Sequence, residues 1–133
     1  MIKQILFLSV CIMLLGCATV SDYSLSKKFD KVADSYRSAL SWEDFEQAKS
    51  FLSEQSLKKE STSPTDELLK KVKVTSYKVQ NIKMNNEERT IEQAVEIKYY
   101  NTDYLVEKVI NDNQVWVYES NSWYLSTGLP VFE

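Results

Sequence analysis

Not one histidine occurs among the 133 residues, and cysteine, glycine and proline occur twice each. Each scarcity excludes a chemistry. Without imidazole there is no histidine general base, no Ser-His-Asp triad and no imidazole metal site. Two glycines, Gly16 and Gly128, cannot build a glycine-rich phosphate cradle. Two prolines add little material for a linker. A surplus of positive charge is missing too. Lys and Arg number 16 against 19 Asp and Glu, a net charge of −3, which gives no electrostatic reason to bind nucleic acid. No run of about 20 apolar residues is present, so a membrane-spanning helix is not expected. What is present is a hydrophobic content of 44% and an aromatic content of 12%, the composition of a folded domain.

The one strongly apolar stretch is Ile5 to Leu15, "ILFLSVCIMLL". It follows Lys3 and precedes the small residue Gly16. A positive start, a short apolar segment and a small residue after it make a secretory signal peptide. The next residue is Cys17. "LLGC" (Leu14 to Cys17) resembles the lipobox of bacterial lipoproteins. The resemblance implies cleavage between Gly16 and Cys17, a diacylglyceryl group on the Cys17 thiol and a fatty acid such as palmitate on the new amino terminus. Leu15 is bulkier than the residue often found at its place. A thiol just beyond an apolar run lies at the membrane surface, and more than one acyl chain is needed to hold a protein there firmly. Ala18 stands where the sorting rule for inner-membrane retention places an aspartate. It therefore implies the outer membrane, with the domain on the periplasmic side. The competing readings are an ordinary secretory signal with a chance cysteine, or a short anchor. The length and flanks of the segment argue against a span.

These features divide the chain into a lipoprotein signal peptide (1–16), a lipidated tether (17–25) and a single domain (26–133). Removing residues 1–16 leaves 117 residues and takes away Lys3 but no acid, so −3 becomes −4. That is one domain of ordinary size. Cys11 leaves with the signal and lipid caps Cys17. The mature chain then has no free thiol and no disulfide, although an oxidising compartment permits one.

Within the domain the apolar period changes once. Phe29, Val32, Ala33, Tyr36 and Leu40 recur at offsets 0, 3, 4, 7 and 11 and predict an amphipathic helix over Ser26–Leu40. A second helix is expected over Leu40–Leu52. Its N-cap is Ser41, and Trp42, Phe45, Ala48, Phe51 and Leu52 make its buried face. Ser53 to Ser63 reads as a polar loop. Ser63, Pro64 and Asp66 then predict a turn or two of helix. From Val72 the period is two. Along Val72–Met84 the alternation slips twice, which predicts β-bulges. Further strands are expected at Thr90–Tyr100, Tyr104–Ile110, Gln114–Ser120 and Trp123–Thr127. Turns separate them at "NNEER", "NTD", "NDN" and Asn121–Ser122. Helices followed by strands mean α+β, with helices packed on a curved antiparallel meander of about five strands.

This arrangement, ending in "VWVYESNSWYLSTGLPVF" (Val115 to Phe132), resembles the cone-like fold of nuclear-transport-factor-two-like, ketosteroid-isomerase-like and cystatin-like domains. It also resembles a group of small bacterial lipoproteins of unknown function. The superfamily includes enzymes, binding modules and structural subunits, so the likeness implies a fold and no single activity.

Only carboxylates and tyrosines remain as candidate chemistry. An isomerase-like reading needs an acid in an apolar cone with a tyrosine donor beside it. Glu107, between Leu105 and Val109, is the candidate acid, and Tyr77, Tyr99, Tyr100 and Tyr118 are the candidate donors. The plainer expectation is that Glu107 faces solvent and the tyrosines pack. The aromatic residues Tyr99, Tyr100, Trp116, Tyr118 and Trp123 could instead form a ligand or partner surface. Trp116 and Tyr118 lie on the opposite strand face from Val115 and Val117, so both faces read as apolar. Helices would cover one, and a protein partner, a second copy or the membrane-proximal segment the other. No cofactor and no metal are called for. The expected function is non-enzymatic binding or assembly at the outer membrane. The alternatives are a small apolar ligand held in the cone or, further off, an isomerase- or dehydratase-like enzyme.

Overall fold

The computed structural model describes residues 17–61 and 66–133. The expectations for Met1–Gly16, and for Ser63 and Pro64, lie outside the described residues. The described residues form four helices and then four strands: α1 (Cys17–Ser41), α2 (Phe45–Lys49), α3 (Glu54–Glu60), α4 (Asp66–Leu69), β1 (Val72–Asn85), β2 (Thr90–Asn101), β3 (Glu107–Glu119) and β4 (Ser122–Leu125). The strands make one antiparallel sheet in the order β1-β2-β3-β4. The architecture is α+β, with a helical part followed by a meander.

Helix α1 is 25 residues long and begins at Cys17, so the stretch 17–25 expected as a tether is helical. The reason is Leu25. It stands one turn before Phe29 on the same stripe and packs against the core. Lys27 Nζ lies 5.1 Å from the Tyr23 ring centroid, a pair four residues apart on the same helix. Phe29, Tyr36 and Leu40 are buried as the periodicity requires, while Val32 and Ala33 are half-buried.

The second helix is shorter than expected and starts later. α1 continues through Ser41, and the chain turns at Glu43, whose φ is +54°. Asp44, not Ser41, caps α2, its carboxylate accepting the Gln47 N–H at 3.1 Å. Trp42, expected in the buried face, is 80% exposed because it lies in the turn between the helices. Helix α3 occupies the stretch read as a loop. Ser53 caps it and accepts from the Ser56 N–H, with Glu54 in the first turn and Lys58 and Lys59 in the last. Those charges complement the helix dipole.

The two slips in β1 are real register shifts, between Val74 and Ser76 and between Val79 and Asn81. Asn85 opens the following turn by accepting the N–H groups of Glu87 and Glu88, both at 3.1 Å. The meander has four strands where about five were expected, because Asn111–Asn113 is not a turn. These residues pair with Glu96, Val95 and Ala94 in the middle of a 13-residue β3. Residues 102–106, read as a turn and the start of a strand, form the loop between β2 and β3. Ser120 and Asn121, with φ of +49° and +64°, make the tight turn into β4.

One face of the sheet lies under α1. Ile91, Val95, Ile97 and Tyr99 of β2, Trp116 of β3, and Trp123 and Leu125 of β4 are all buried there. Phe29 and Tyr36 meet Trp116 edge-on at 5.8 and 5.3 Å, and Phe29 meets Trp123 at 5.6 Å. Phe132, near the end of the chain, packs on Phe45 and Tyr99 at 5.8 and 4.9 Å. The other face is more polar than the sequence pattern suggested. Lys78, Lys83, Glu92, Asn111 and Asn113 are exposed on it, and Val115 and Val117 are half-buried.

Candidate functional site

Most of the inner face is apolar, but one patch of it is not. Gln93 of β2 and Gln114 of β3 are register partners, and both are buried. A buried amide needs partners, and Gln114 has four. Its Oε1 accepts from Gln93 Nε2 and from Trp116 Nε1, each at 3.1 Å. Its Nε2 donates to Tyr77 Oη at 3.1 Å and to Asp112 Oδ2 at 2.9 Å. Strand parity brings these groups together. Asp112, Gln114 and Trp116 alternate with outward residues on β3, while Tyr77 and Gln93 sit on the inner face of β1 and β2.

Tyr36 of α1 closes the patch from above. Its hydroxyl is buried and has no hydrogen-bond partner among the described residues. Burial, and then the Asp112 charge, hold it neutral far into the alkaline range. Tyr77 is pushed up to about 12 by burial, against the hydrogen bond from Gln114. Burial also raises the Asp112 carboxyl above its ordinary value, and the Gln114 hydrogen bond offsets part of this. Both phenols are thus held in the protonated form, and Tyr77 serves the patch as a hydrogen-bonding group. Asp112 reaches Gln114, and Gln114 reaches Tyr77, so carboxylate and phenol communicate through an amide.

An open groove of about 560 Å³ runs beside this patch, between α1 and β1. Phe29, Ala33 and Arg37 form one wall, and Tyr77, Val79 and Gln93 the other. Its volume is of the size that small-molecule sites have, and its floor joins the polar patch through Tyr77 and Gln93.

The residues singled out from sequence fall in different places. Tyr99, Trp116 and Trp123 are buried in the core and present no surface to a partner. Tyr118 is half-buried. Its hydroxyl donates to Asn121 at 2.8 Å, and Lys28 Nζ lies 3.1 Å from that hydroxyl and 5.7 Å from the ring centroid. Tyr100 is half-buried on the outer face. The sheet face carrying Trp116 and Tyr118 is the one α1 covers. Glu107 does not point inward. It is exposed at the start of β3, where it accepts the Thr75 hydroxyl at 3.1 Å. The inward carboxylate is Asp112, five residues further on. Reading "NDN" as a turn hid it, whereas continuing the alternation back from Trp116 and Gln114 leads to it.

Cys17 is the first residue of α1. Among the described residues no helix is long and apolar enough to cross a membrane, and no group of three or more His, Cys, Asp or Glu residues could hold a metal ion. No protein-family model matches the chain, and no curated protein matches it.

Proposed function

We propose that this is a lipid-anchored periplasmic protein of the outer membrane, held by acyl chains on Cys17 and acting there as a non-enzymatic binding or assembly module. The observation that carries the reading is "LLGC" standing directly behind an 11-residue apolar run, too short to span a bilayer and followed by Ala18. The domain is read as a cone-like member of the nuclear-transport-factor-two-like class. With Cys17 at the membrane surface, α1 would carry the domain without a flexible spacer. At 1.5 Å per residue the far end of α1 would lie about 36 Å along its axis from the anchor.

Growing cells on radioactive palmitate tests the anchor. Wild type takes up label on this chain and Cys17→Ser takes up none. Equal labelling of the two would sink the anchor.

A second reading, a small-ligand site, is favoured by the unspent Tyr36 hydroxyl beside the Tyr77–Gln114–Asp112 chain and by the groove next to it. Such a ligand would be largely apolar with one or two polar atoms. Tyr77→Phe and Gln93→Leu would then weaken its binding without unfolding the domain.

A further inference from the structure

We infer that the free edge of β1, between Ser76 and Asn85, is a docking surface for an extended acidic segment of a partner protein, which adds to the sheet as a further strand. The inference rests on the binding-module part of the reading above and not on the lipid. β1 is a terminal strand of the sheet and is 14 residues long. An edge of that length offers a row of backbone donors and acceptors. Val79 and Ile82 along it are 40% and 52% exposed. Both lie on the side of the strand that faces the groove beside α1.

Charge identifies the occupant. The chain carries a net charge of −3, yet β1 contains Lys73, Lys78 and Lys83 and no acid. Lys73 lies 4.0 Å from Glu43, whereas Lys78 and Lys83 have no ion pair among the described residues. Glu96 and Glu92 of β2 stand across from Lys78 and Lys83 on the paired side. An acidic strand on the free side would place each lysine between two acidic neighbours. A second copy pairing β1 to β1 would instead bring rows of lysine together, which is destabilising.

The fold already contains a small version of this contact. Glu43 reaches the start of the edge, where its carboxylate accepts the Val74 N–H at 3.0 Å. One carboxylate therefore satisfies an edge N–H beside a lysine. Further along, no such side chain is supplied by the described residues. The bulge between Val79 and Asn81 breaks the edge into short regular stretches, so the partner segment is short. Its side chains would alternate: small and apolar toward the groove, acidic beside Lys78 and Lys83. Strand addition of this kind takes its affinity from main-chain hydrogen bonds and its specificity from alternate side chains.

The test uses the full chain in detergent, as wild type and as Cys17→Ser, with a labelled synthetic peptide of alternating valine and glutamate. The glutamate peptide binds both forms, more weakly as salt rises, and slows amide exchange at Ser76–Asn85. A lysine-for-glutamate peptide does not bind. Lys78→Glu with Lys83→Glu, both exposed and checked for an unchanged circular dichroism spectrum, weakens binding by roughly tenfold or more. Any of four results overturns the proposal: no binding by wild type, equal binding of the two peptides, undiminished binding by the double variant, or protection that appears away from β1. Binding by Cys17→Ser separates this surface from the anchor. Loss of peptide binding with palmitate uptake intact strikes the docking surface alone.

Discussion

At the β4 edge of the sheet the backbone of Leu125 is already spoken for. Leu125 donates to the Phe51 carbonyl at 2.8 Å and accepts from the Ser53 N–H at 2.9 Å, and Leu52 forms a parallel bridge with it. Ser56 of α3 donates to the Ser126 carbonyl at 2.6 Å just beyond. Among the described residues the β1 edge has one side-chain contact of this kind, Glu43 on Val74, and then about ten residues of open strand. Both edges belong to one sheet with one core, so stability alone does not explain the difference. An open edge invites aggregation, and β1 carries the usual defences, two register shifts and three lysines. The same lysines that repel another copy attract an acidic strand. One edge is thus built into the fold and the other is left available.

The largest expected effect is at the closed edge. Leu125→Ala removes a fully buried core side chain and should cost about 2–5 kcal/mol in chemical denaturation. Ile82→Ala on the open edge should stay within about 0.5 kcal/mol. Similar losses from the two would erase the distinction between the edges. Ser53→Ala removes the α3 cap and its bond to Ser56 and should cost about 1 kcal/mol. Amide exchange of Leu125 should quicken in that variant while β1 stays unchanged.

The polar patch gives smaller effects, both in the direction of greater stability. Tyr36→Phe deletes a buried hydroxyl that has no partner among the described residues, and the midpoint of urea unfolding should rise by the equivalent of about 1 kcal/mol. A fall would mean that a bound water or ligand atom uses the hydroxyl. Asp112→Asn should raise the melting temperature at neutral pH. The sign follows from linkage. Burial raises the folded pKa of Asp112 above its unfolded value, so the folded state holds the proton to higher pH. That contribution is fully present below the ordinary carboxylate pKa and is lost as pH rises through the folded value. The stabilisation by Asp112→Asn, followed by thermal melts from acidic to neutral pH, should therefore shrink toward zero at the acidic end.

Several of these features were legible in the amino-acid order, and the reasons others were not are physical. The slips after Val74 and Val79 announced the register shifts, because alternation has a period of two and one extra residue inverts it. The Phe29–Leu40 stripe announced α1, but its start was missed because Leu25 alone extends the stripe among polar neighbours. Asn111, Asp112 and Asn113 are turn formers by propensity. Pairing with Glu96, Val95 and Ala94 overrides that propensity and turns Asp112 inward. Trp116 and Trp123 were visible as aromatic, but alternation cannot say which face a helix covers. The burial of the Tyr36 hydroxyl and the Gln114 network needed three elements in space, and no local pattern encodes them.

All of this surface belongs to a domain whose helix α1 starts at Cys17, so the state of that residue is the most direct test of where the module works. Intact-protein mass spectrometry of the chain extracted from outer membranes should give a polypeptide beginning at Cys17, heavier by a diacylglyceryl group and a further acyl chain. A chain that keeps residues 1–16, or one that begins at Cys17 without added lipid mass, would contradict the account.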